Sequence, residues 1–352
     1  MKHLNTYENK SFNLKSLTSY ITEYIVKKKL DKFIDSEDQY KYTPNTKEEL
    51  IDNISELLDN GKTDLNCINT SNITDMSHLF ELCKNVSNND FDVSRWNVSN
   101  VTNMISVFEN CTNFDCDLSN WDVSNVSSMN SIFKNCSKFT GKGLENWNVS
   151  NVTDMTCMFG NCNKFIGKGL ENWNVSNVEH TEYMFDGCKE LNCNLSKWNV
   201  SKVENMESMF ANSMKFDFDL SNWNVSNVKN MYAMFYNCQK FTGKGLENWD
   251  VSNVKDMEYM FENCINFDYD LSNWDVSNVT NMRYMFFDCQ NFTGKGLENW
   301  NVSNVTNMEC MFVACKNLNC ELNNWNISKV KKMGLMFNSC QSLKNKPSWY
   351  KE

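Results

Sequence analysis

The stretch that decides the fold is residues 274–292, which reads WDVSNVTNMRYMFFDCQNF. Similar stretches recur along the 352-residue chain. Each is marked by a tryptophan, at positions 96, 121, 147, 173, 198, 223, 249, 274, 300 and 325, so that successive units are 25 or 26 residues long. An earlier, degenerate unit begins at Ile68, which gives eleven units between about residues 65 and 343. A unit this short cannot bury its own apolar face, so the period predicts stacked repeats.

Within a unit, we number positions from the tryptophan as 0. Apolar residues then fall at −3, 0, +2, +5, +8, +11, +12, +15 and +18. The alternation around the tryptophan is typical of a short half-buried strand, and the later spacing of three and four is typical of one face of a helix. We therefore predict an α/β repeat in which parallel strands line one side and helices the other.

The repeated pattern Leu-x-x-Trp-x-Val-Ser-Asn-Val-Thr-x-Met-x-x-Met-Phe-x-x-Cys-x-x-Phe resembles a known family. It is similar to the BspA-like leucine-rich-repeat surface proteins, specifically their lipoprotein-associated repeat of about 25 residues, over about four fifths of the chain. The resemblance implies a leucine-rich-repeat-like solenoid of about eleven strand–helix coils, and for many members adhesion or host interaction at a cell surface. Single units depart from the pattern at Thr181, Lys202, Ser213 and Lys329.

Three regions follow from this reading: a helical N-terminal cap over residues 1–64, the solenoid over 65–343 and a C-terminal tail over 344–352. In the first region, apolar residues from Leu14 predict an amphipathic helix that continues to about Ile34. A second helix is predicted from Thr46, which forms a capping-box pattern with Glu49, to Asn60. A solenoid needs a polar-faced cap at its end, although a helix that docks a partner is the alternative.

The charge and hydropathy of the chain limit the classes of partner that it is expected to bind. The net charge is −10 and we find no basic stripe, so nucleic acid and anionic membranes are not expected to bind. No apolar stretch approaches the ~18 residues that a membrane-spanning helix needs. The N-terminus lacks the pattern of a secretory signal peptide, so we expect a cytoplasmic protein or one inside a host cell, with the cell surface as the alternative.

Sixteen cysteines raise the question of thiol chemistry. Ten of them occupy position +15, on the apolar face: Cys83, Cys111, Cys136, Cys162, Cys188, Cys238, Cys264, Cys289, Cys315 and Cys340. We interpret them as part of a buried core ladder, represented by Trp121, Trp147, Trp173, Cys136, Cys162, Cys264, Phe133, Phe159 and Phe261. Zinc is the rival interpretation, but no Cys-x2-Cys pair occurs and no histidine stands at ligand spacing. We therefore predict no metal and no cofactor.

Other groups of residues give only weak indications of a binding or catalytic site. Acidic turns such as Asp217-x-Asp219-x-Ser221 lack the glycine and glutamate of a calcium-binding EF-hand loop. Four Gly-Lys-Gly turns, at Lys142, Lys168, Lys244 and Lys295, lack the Ser/Thr that follows the lysine of a phosphate loop. The three histidines are isolated from one another in sequence, and no catalytic grouping can be assembled. The chain is not expected to be an enzyme.

One repeated feature favours recognition. Positions −1 and +1 flank the tryptophan and should point away from the core. Position +1 is always Asn or Asp, and we predict a partner-binding face of Asp122, Asn148, Asn174, Asn199, Asn224, Asp250, Asp275 and Asn301. Amide hydrogen bonds between coils would explain the same residues without a partner. The leading hypothesis is a non-enzymatic protein-interaction or scaffold module with an unidentified protein partner; a surface adhesin or antigen and a thiol metal or redox protein are the alternatives.

Overall fold

A computed structural model describes residues 40–81 and 90–351 of the chain. Within these residues the one α-helix is α1, Lys47–Asp59, and the hydroxyl of Thr46 caps its start by accepting from the backbone N–H of Glu49 at 3.2 Å. The second predicted helix is therefore present. The helix predicted from Leu14 to Ile34 and the position of Cys83 lie outside the described residues. Four short 3₁₀-helices follow in the array, at Leu144–Asn146, Leu170–Asn172, Leu246–Asn248 and Leu297–Asn299.

The units stack on one another in parallel register. Position +7 of each unit forms a parallel bridge with position +7 of the next, through Asp75, Asn103, Ser128, Asp154, His180, Asn205, Asn230, Asp256, Asn281, Asn307 and Lys332. Among the described residues the pairing consists of isolated bridges, and no run is long enough to form a strand. The prediction of a strand around each tryptophan is therefore wrong, because the backbone pairs about seven residues later.

The backbone after the bridge forms two alternating sets of hydrogen bonds. In the unit of Trp121, the N–H groups of Met129, Ser131, Phe133 and Asn135 donate to carbonyl oxygens of the next unit at 2.7–3.0 Å. The N–H groups between them, at residues 132, 134 and 136, donate to the carbonyl three residues earlier in the same unit. The polar backbone of a buried segment is thus satisfied without a helix or a regular sheet.

The helix predicted over positions +5 to +15 is wrong for a specific reason. Position +10 has φ between 51° and 60° in every unit, and position +14 has φ between 55° and 74° in every described unit. A left-handed residue every fourth position cannot belong to a right-handed α-helix. The chain instead makes successive tight turns, and these turns bring apolar side chains inward at nearly the same spacing as a helix does.

Aromatic side chains form two ladders through the interior. In the first, the tryptophan rings of several neighbouring units stack, as Trp147 and Trp173 do with centroids 6.4 Å apart and planes 3° apart. Position +12 forms the second ladder, in which Phe133 and Phe159 stack at 5.7 Å. Each indole N–H donates at 2.8–3.2 Å to a backbone carbonyl of the preceding unit. The tryptophan therefore binds neighbouring units through both its ring and its N–H.

The two ends of the array differ. At the N-terminal end, α1 buries Leu50, Ile54 and Leu57 against the core. At the C-terminal end, Trp349 stacks on Trp325 with centroids 6.3 Å apart, and its indole N–H donates to the Leu322 carbonyl at 2.8 Å. Residues that the sequence analysis assigned to a tail thus continue the tryptophan ladder.

Candidate recognition surface

The eight residues predicted as the partner-binding face are all exposed. Each also has a local structural role, because one side-chain oxygen accepts from the backbone N–H two residues later. The Ser124 N–H donates to Asp122 at 3.1 Å and the Ser277 N–H donates to Asp275 at 2.9 Å. The same bond is made to Asn148, Asn174, Asn199, Asn224, Asp250 and Asn301. Such Asx-turns explain why position +1 is restricted to Asn and Asp.

Position +4 supplies one set of side-chain hydrogen bonds between units. The Asn125 amide donates to the Ser99 carbonyl at 2.8 Å, and Asn278 donates to Ser252 at 2.7 Å. Where lysine replaces this asparagine, its ammonium reaches the asparagine of the preceding unit: Lys202 donates to Asn177 at 2.7 Å. Longer amide hydrogen bonds to the preceding unit also come from position −1, where Asn120 donates to the Ser94 carbonyl at 3.3 Å and Asn273 to the Glu247 carbonyl at 3.3 Å. Interunit amide bonding is therefore present at position −1, whereas the residues at +1 make the Asx-turns.

The nine residues of the core ladder are buried, with exposures from 0% for the cysteines and phenylalanines to 5% for Trp173. The cysteines also act as donors. The Cys136 thiol lies 2.9 Å from the Phe108 carbonyl of the preceding unit, and Cys264 lies 3.0 Å from the Phe235 carbonyl. Burial raises the pKa of the Cys264 thiol well above its ordinary value, so the S–H proton needed for this bond is retained.

The cysteines considered as zinc ligands have similar surroundings. Cys116, Cys193 and Cys320 share position +20, and burial raises the pKa of each thiol to about 12. A metal ligand must be a thiolate, which this environment disfavours. Within residues 40–81 and 90–351 no three His, Cys, Asp or Glu side chains are grouped as metal ligands would be.

The acidic turns and the Gly-Lys-Gly turns join neighbouring units. Lys142 pairs with Asp115 at 2.7 Å, and Lys295 pairs with Asp270 at 2.8 Å, each one unit earlier. The hydrogen bond from Lys295 lowers the pKa of Asp270 to about 2. Lys244 pairs in the same way with Asp219 at 3.1 Å. Because these three lysines are already paired with carboxylates, their turns connect neighbouring units and do not present a free cation to a phosphate.

A different surface carries residues that are specific to single units. Positions +9 and +10 lie beside the bridge, and their identity changes from unit to unit. Between the units of Trp173 and Trp300 they present aromatic and charged side chains. We call this surface the ridge and define it as Tyr183, Glu207, Tyr232, Glu258, Tyr259, Arg283, Tyr284 and Glu309.

Arg283 lies at the centre of the ridge's charged part. Its guanidinium donates to Glu258 at 3.0 Å, to Glu309 at 2.9 Å and to the Tyr259 hydroxyl at 2.6 Å. The same group lies over the Tyr284 ring, 4.5 Å from its centroid. The guanidinium is held in one orientation, because two carboxylates accept from its N–H groups and an aromatic ring packs against its plane.

The aromatic part of the ridge is continuous. Tyr232 meets Tyr259 edge-on at 5.5 Å, and Tyr259 stacks on Tyr284 at 5.2 Å. At the other end of the ridge, the Tyr183 hydroxyl donates to Glu207, which raises the pKa of Tyr183 to about 12. All of these side chains are half-buried. The ridge is therefore an ordered surface that is still open to contact.

The ridge was not predicted from the sequence, because it consists of positions that the units do not share. One feature of the sequence could have indicated it. Position +1 is Asn or Asp in every unit, whereas position +9 differs between consecutive units, as in Glu258, Arg283 and Glu309.

These features define a repeat protein whose units stack through tryptophan and phenylalanine ladders. Residues 49–168, 158–245 and 235–350 match the family model described as a Mycoplasma protein of unknown function, DUF285, and the chain belongs to this family. No curated protein matches it. A solved structure of a leucine-rich-repeat protein of Leptospira interrogans aligns at 10% identity, with 80% of this chain and 86% of that chain covered. Its TM-score of 0.16 is too low to show a shared fold. No helix among the described residues is long and apolar enough to cross a membrane.

Proposed function

We propose that the chain is a non-enzymatic protein-interaction module, built as a leucine-rich-repeat-like solenoid in which turns replace the helices. The observation that carries the proposal is the ridge, a surface of unit-specific tyrosines, glutamates and one arginine on an otherwise uniform frame. Repeat arrays use such extended surfaces for partners, and tyrosine and arginine are enriched where binding energy concentrates.

The ridge fits this role better than the Asn/Asp face does. Along that face, one oxygen of each residue such as Asp122 is held by the Asx-turn, and the pattern is nearly the same in every unit. A uniform surface offers a partner little to distinguish one register from another. On the ridge, Glu258, Arg283 and Glu309 alternate in charge within three units, which supports recognition of one partner in one register.

Variants of the two surfaces test the proposal. In the ridge variant, Tyr259→Asn and Tyr284→Asn remove the ring stack, and asparagine tolerates the positive φ of both positions. In the face variant, Asp122→Asn, Asp250→Asn and Asp275→Asn remove three charges and keep the Asx-turns, since asparagine already stands at +1 in other units. Circular dichroism checks that both variants fold.

Affinity purification with the full chain, followed by quantitative mass spectrometry, then compares the partners of each variant with those of the wild type. We expect the ridge variant to lose a partner that the face variant retains. If the face variant alone loses the partner, the Asn/Asp face is the contact surface. If neither loses it, both assignments are overturned. Protease treatment of intact cells distinguishes a module inside the cell from a surface adhesin or antigen.

A further inference from the structure

The unit of Trp325 carries an edge of unused backbone donors. In the preceding unit, the N–H groups of residues 308, 310, 312 and 314 donate to the carbonyls of residues 332, 334, 336 and 338 at 2.8–3.0 Å. The corresponding N–H groups of Met333, Leu335, Phe337 and Ser339 have no acceptor among the described residues. Four N–H groups at two-residue spacing thus form an open pairing edge, which is a template for another chain segment.

This edge offers donors but hardly any acceptors. The carbonyls of residues 332, 334, 336 and 338 already accept from the preceding unit. Those of residues 333, 335 and 337 accept from N–H groups within the same unit. A second copy of this edge would therefore oppose donors with donors. The occupant has to supply acceptors, as the carbonyl oxygens of an extended peptide do.

The charge around the edge points to an acidic occupant. Residues 326–352 contain six lysines, one Glu and no Asp, a net charge of +5, whereas the whole chain has a net charge of −10, so residues 1–325 carry −15. Lys331 and Lys332 are exposed beside the open donors. This local reversal of charge is hidden when charge is averaged over long segments of the chain. Its field attracts carboxylates to the donors.

The edge also has an apolar contact point. Leu335 is 62% exposed, which makes it the most exposed large apolar side chain in the described residues; Ile166 follows at 45%. Beside it lies an open recess of about 390 Å³, lined by Leu335, Phe337, Lys346 and Tyr350 among others. At the opposite end of the array, α1 covers the core. The C-terminal end is thus the one that presents donors, positive charge and an apolar contact together.

We propose that this C-terminal edge binds an extended, acidic peptide segment of a protein partner, whose backbone pairs in parallel with the open N–H groups. The segment's carbonyls accept from the N–H groups of Met333, Leu335, Phe337 and Ser339. Its carboxylates face Lys331 and Lys332, and an apolar side chain contacts Leu335. The surface is separate from the ridge, so a failure here leaves the function proposed above intact.

The test uses the full chain and a fluorescein-labelled ten-residue peptide of alternating Asp and Val, with binding measured by fluorescence anisotropy. Reversing two charges with Lys331→Glu and Lys332→Glu is expected to weaken binding at least about tenfold. The matched control is Lys229→Glu with Lys255→Glu, the same charge change at position +6 of two interior units, and we expect a change below about twofold. Leu335→Asn keeps the left-handed residue and is expected to weaken binding as well.

Hydrogen exchange identifies the backbone contact. The amides of Met333, Leu335, Phe337 and Ser339 should exchange fast in the free chain and become protected when the peptide is bound. Binding without this protection would overturn the proposal, because it would show attraction to the lysines alone. Equal binding of a peptide of alternating Lys and Val, no binding at all, or equally effective competition by inorganic phosphate or single-stranded RNA would overturn it too.

Discussion

The hydroxyl of Ser213 donates a hydrogen bond to the carbonyl oxygen of Phe185 at 2.9 Å. In the units on either side, the thiols of Cys188 and Cys238 make the same bond at 3.1 and 3.0 Å. Position +15 therefore favours a small side chain with a donor. The buried carbonyl of the preceding unit accepts one hydrogen bond from a backbone N–H, as Phe185 does from Cys188 at 3.0 Å, and the side chain at +15 supplies a donor to its second lone pair. This explains why serine is the residue that interrupts the cysteine row.

We predict that Cys264→Ala costs more stability than Cys264→Ser. Alanine removes the second donor to the Phe235 carbonyl, which still accepts from the backbone N–H of Cys238, so we expect a loss of about 0.5–1.5 kcal/mol in the free energy of unfolding. Serine keeps a side-chain donor at the same place. Urea denaturation followed by circular dichroism measures both variants. Ser213→Cys is the reciprocal control and should leave the midpoint nearly unchanged. Equal losses for alanine and serine would show that packing alone selects cysteine.

The sequence shows where the unit repeats and which positions are apolar. Each indole N–H must reach a backbone carbonyl of the preceding unit, as Trp173 reaches Leu144, so the tryptophan repeats every 25 or 26 residues. The sequence does not show the path of the backbone between the tryptophans. Positions +8, +11, +12 and +15 have helical spacing, yet the residues at +10 and +14 are left-handed. The sequence does contain one indication of left-handed backbone. Position +14 is asparagine in units such as those of Trp121 and Trp223, and asparagine tolerates positive φ better than most residues do.

Replacement of one such asparagine separates two roles. Asn237 has φ of 58°, and its amide donates to Asn212 at 3.1 Å. Asn237→Gly removes the amide but accepts the positive φ, so we expect a small loss of stability. Asn237→Ala removes the amide and also strains the backbone, at about 1–2 kcal/mol more. Thermal unfolding compares the two variants. A glycine variant as unstable as the alanine variant would mean that the amide bond, not φ, determines the choice of asparagine.

Glycine in the Gly-Lys-Gly turns is required by close contact. Gly143 has φ of 88°, and a Cβ there would lie 2.1 Å from the Ser119 nitrogen of the preceding unit. We predict that Gly143→Ala pushes the two units apart. The free energy of unfolding should fall by well over about 1–2 kcal/mol, which is the cost of placing alanine at a positive φ. Gly61→Ala is the control, since Gly61 has φ of 71° and open space around its Cβ. Similar midpoints of urea denaturation for the two variants would contradict the contact argument.

The candidate surface was harder to predict than the core. Asp122 and its equivalents were identifiable because they repeat, but repetition also marks residues that the fold itself needs, and the Asx-turn to Ser124 is such a need. The contacts of Arg283 with Glu258 and Glu309 join residues about 25 positions apart in sequence. They become visible only when position +9 of one unit is placed beside position +9 of the next, and that register is set by the bridges.

Glu262 should make the stability of the array depend on pH. Burial raises its pKa from 4.5 to about 7, with Arg283 opposing the rise and Asp288 adding to it, and one of its buried carboxyl oxygens has no hydrogen-bond partner in the described structure. Between pH 4.5 and about 7, the Glu262 carboxyl is therefore protonated in the folded state and ionised in the unfolded state. The free energy of unfolding falls as the pH rises through this range, because the unfolded state releases the proton more readily. Glu262→Gln stays neutral, and we expect it to raise the urea midpoint relative to the wild type more at pH 8 than at pH 5. Glu145→Gln, at an exposed position, is the control and should shift the midpoint equally at both. If Glu262→Gln behaves like this control, the carboxyl is solvated in solution and does not carry the pH dependence.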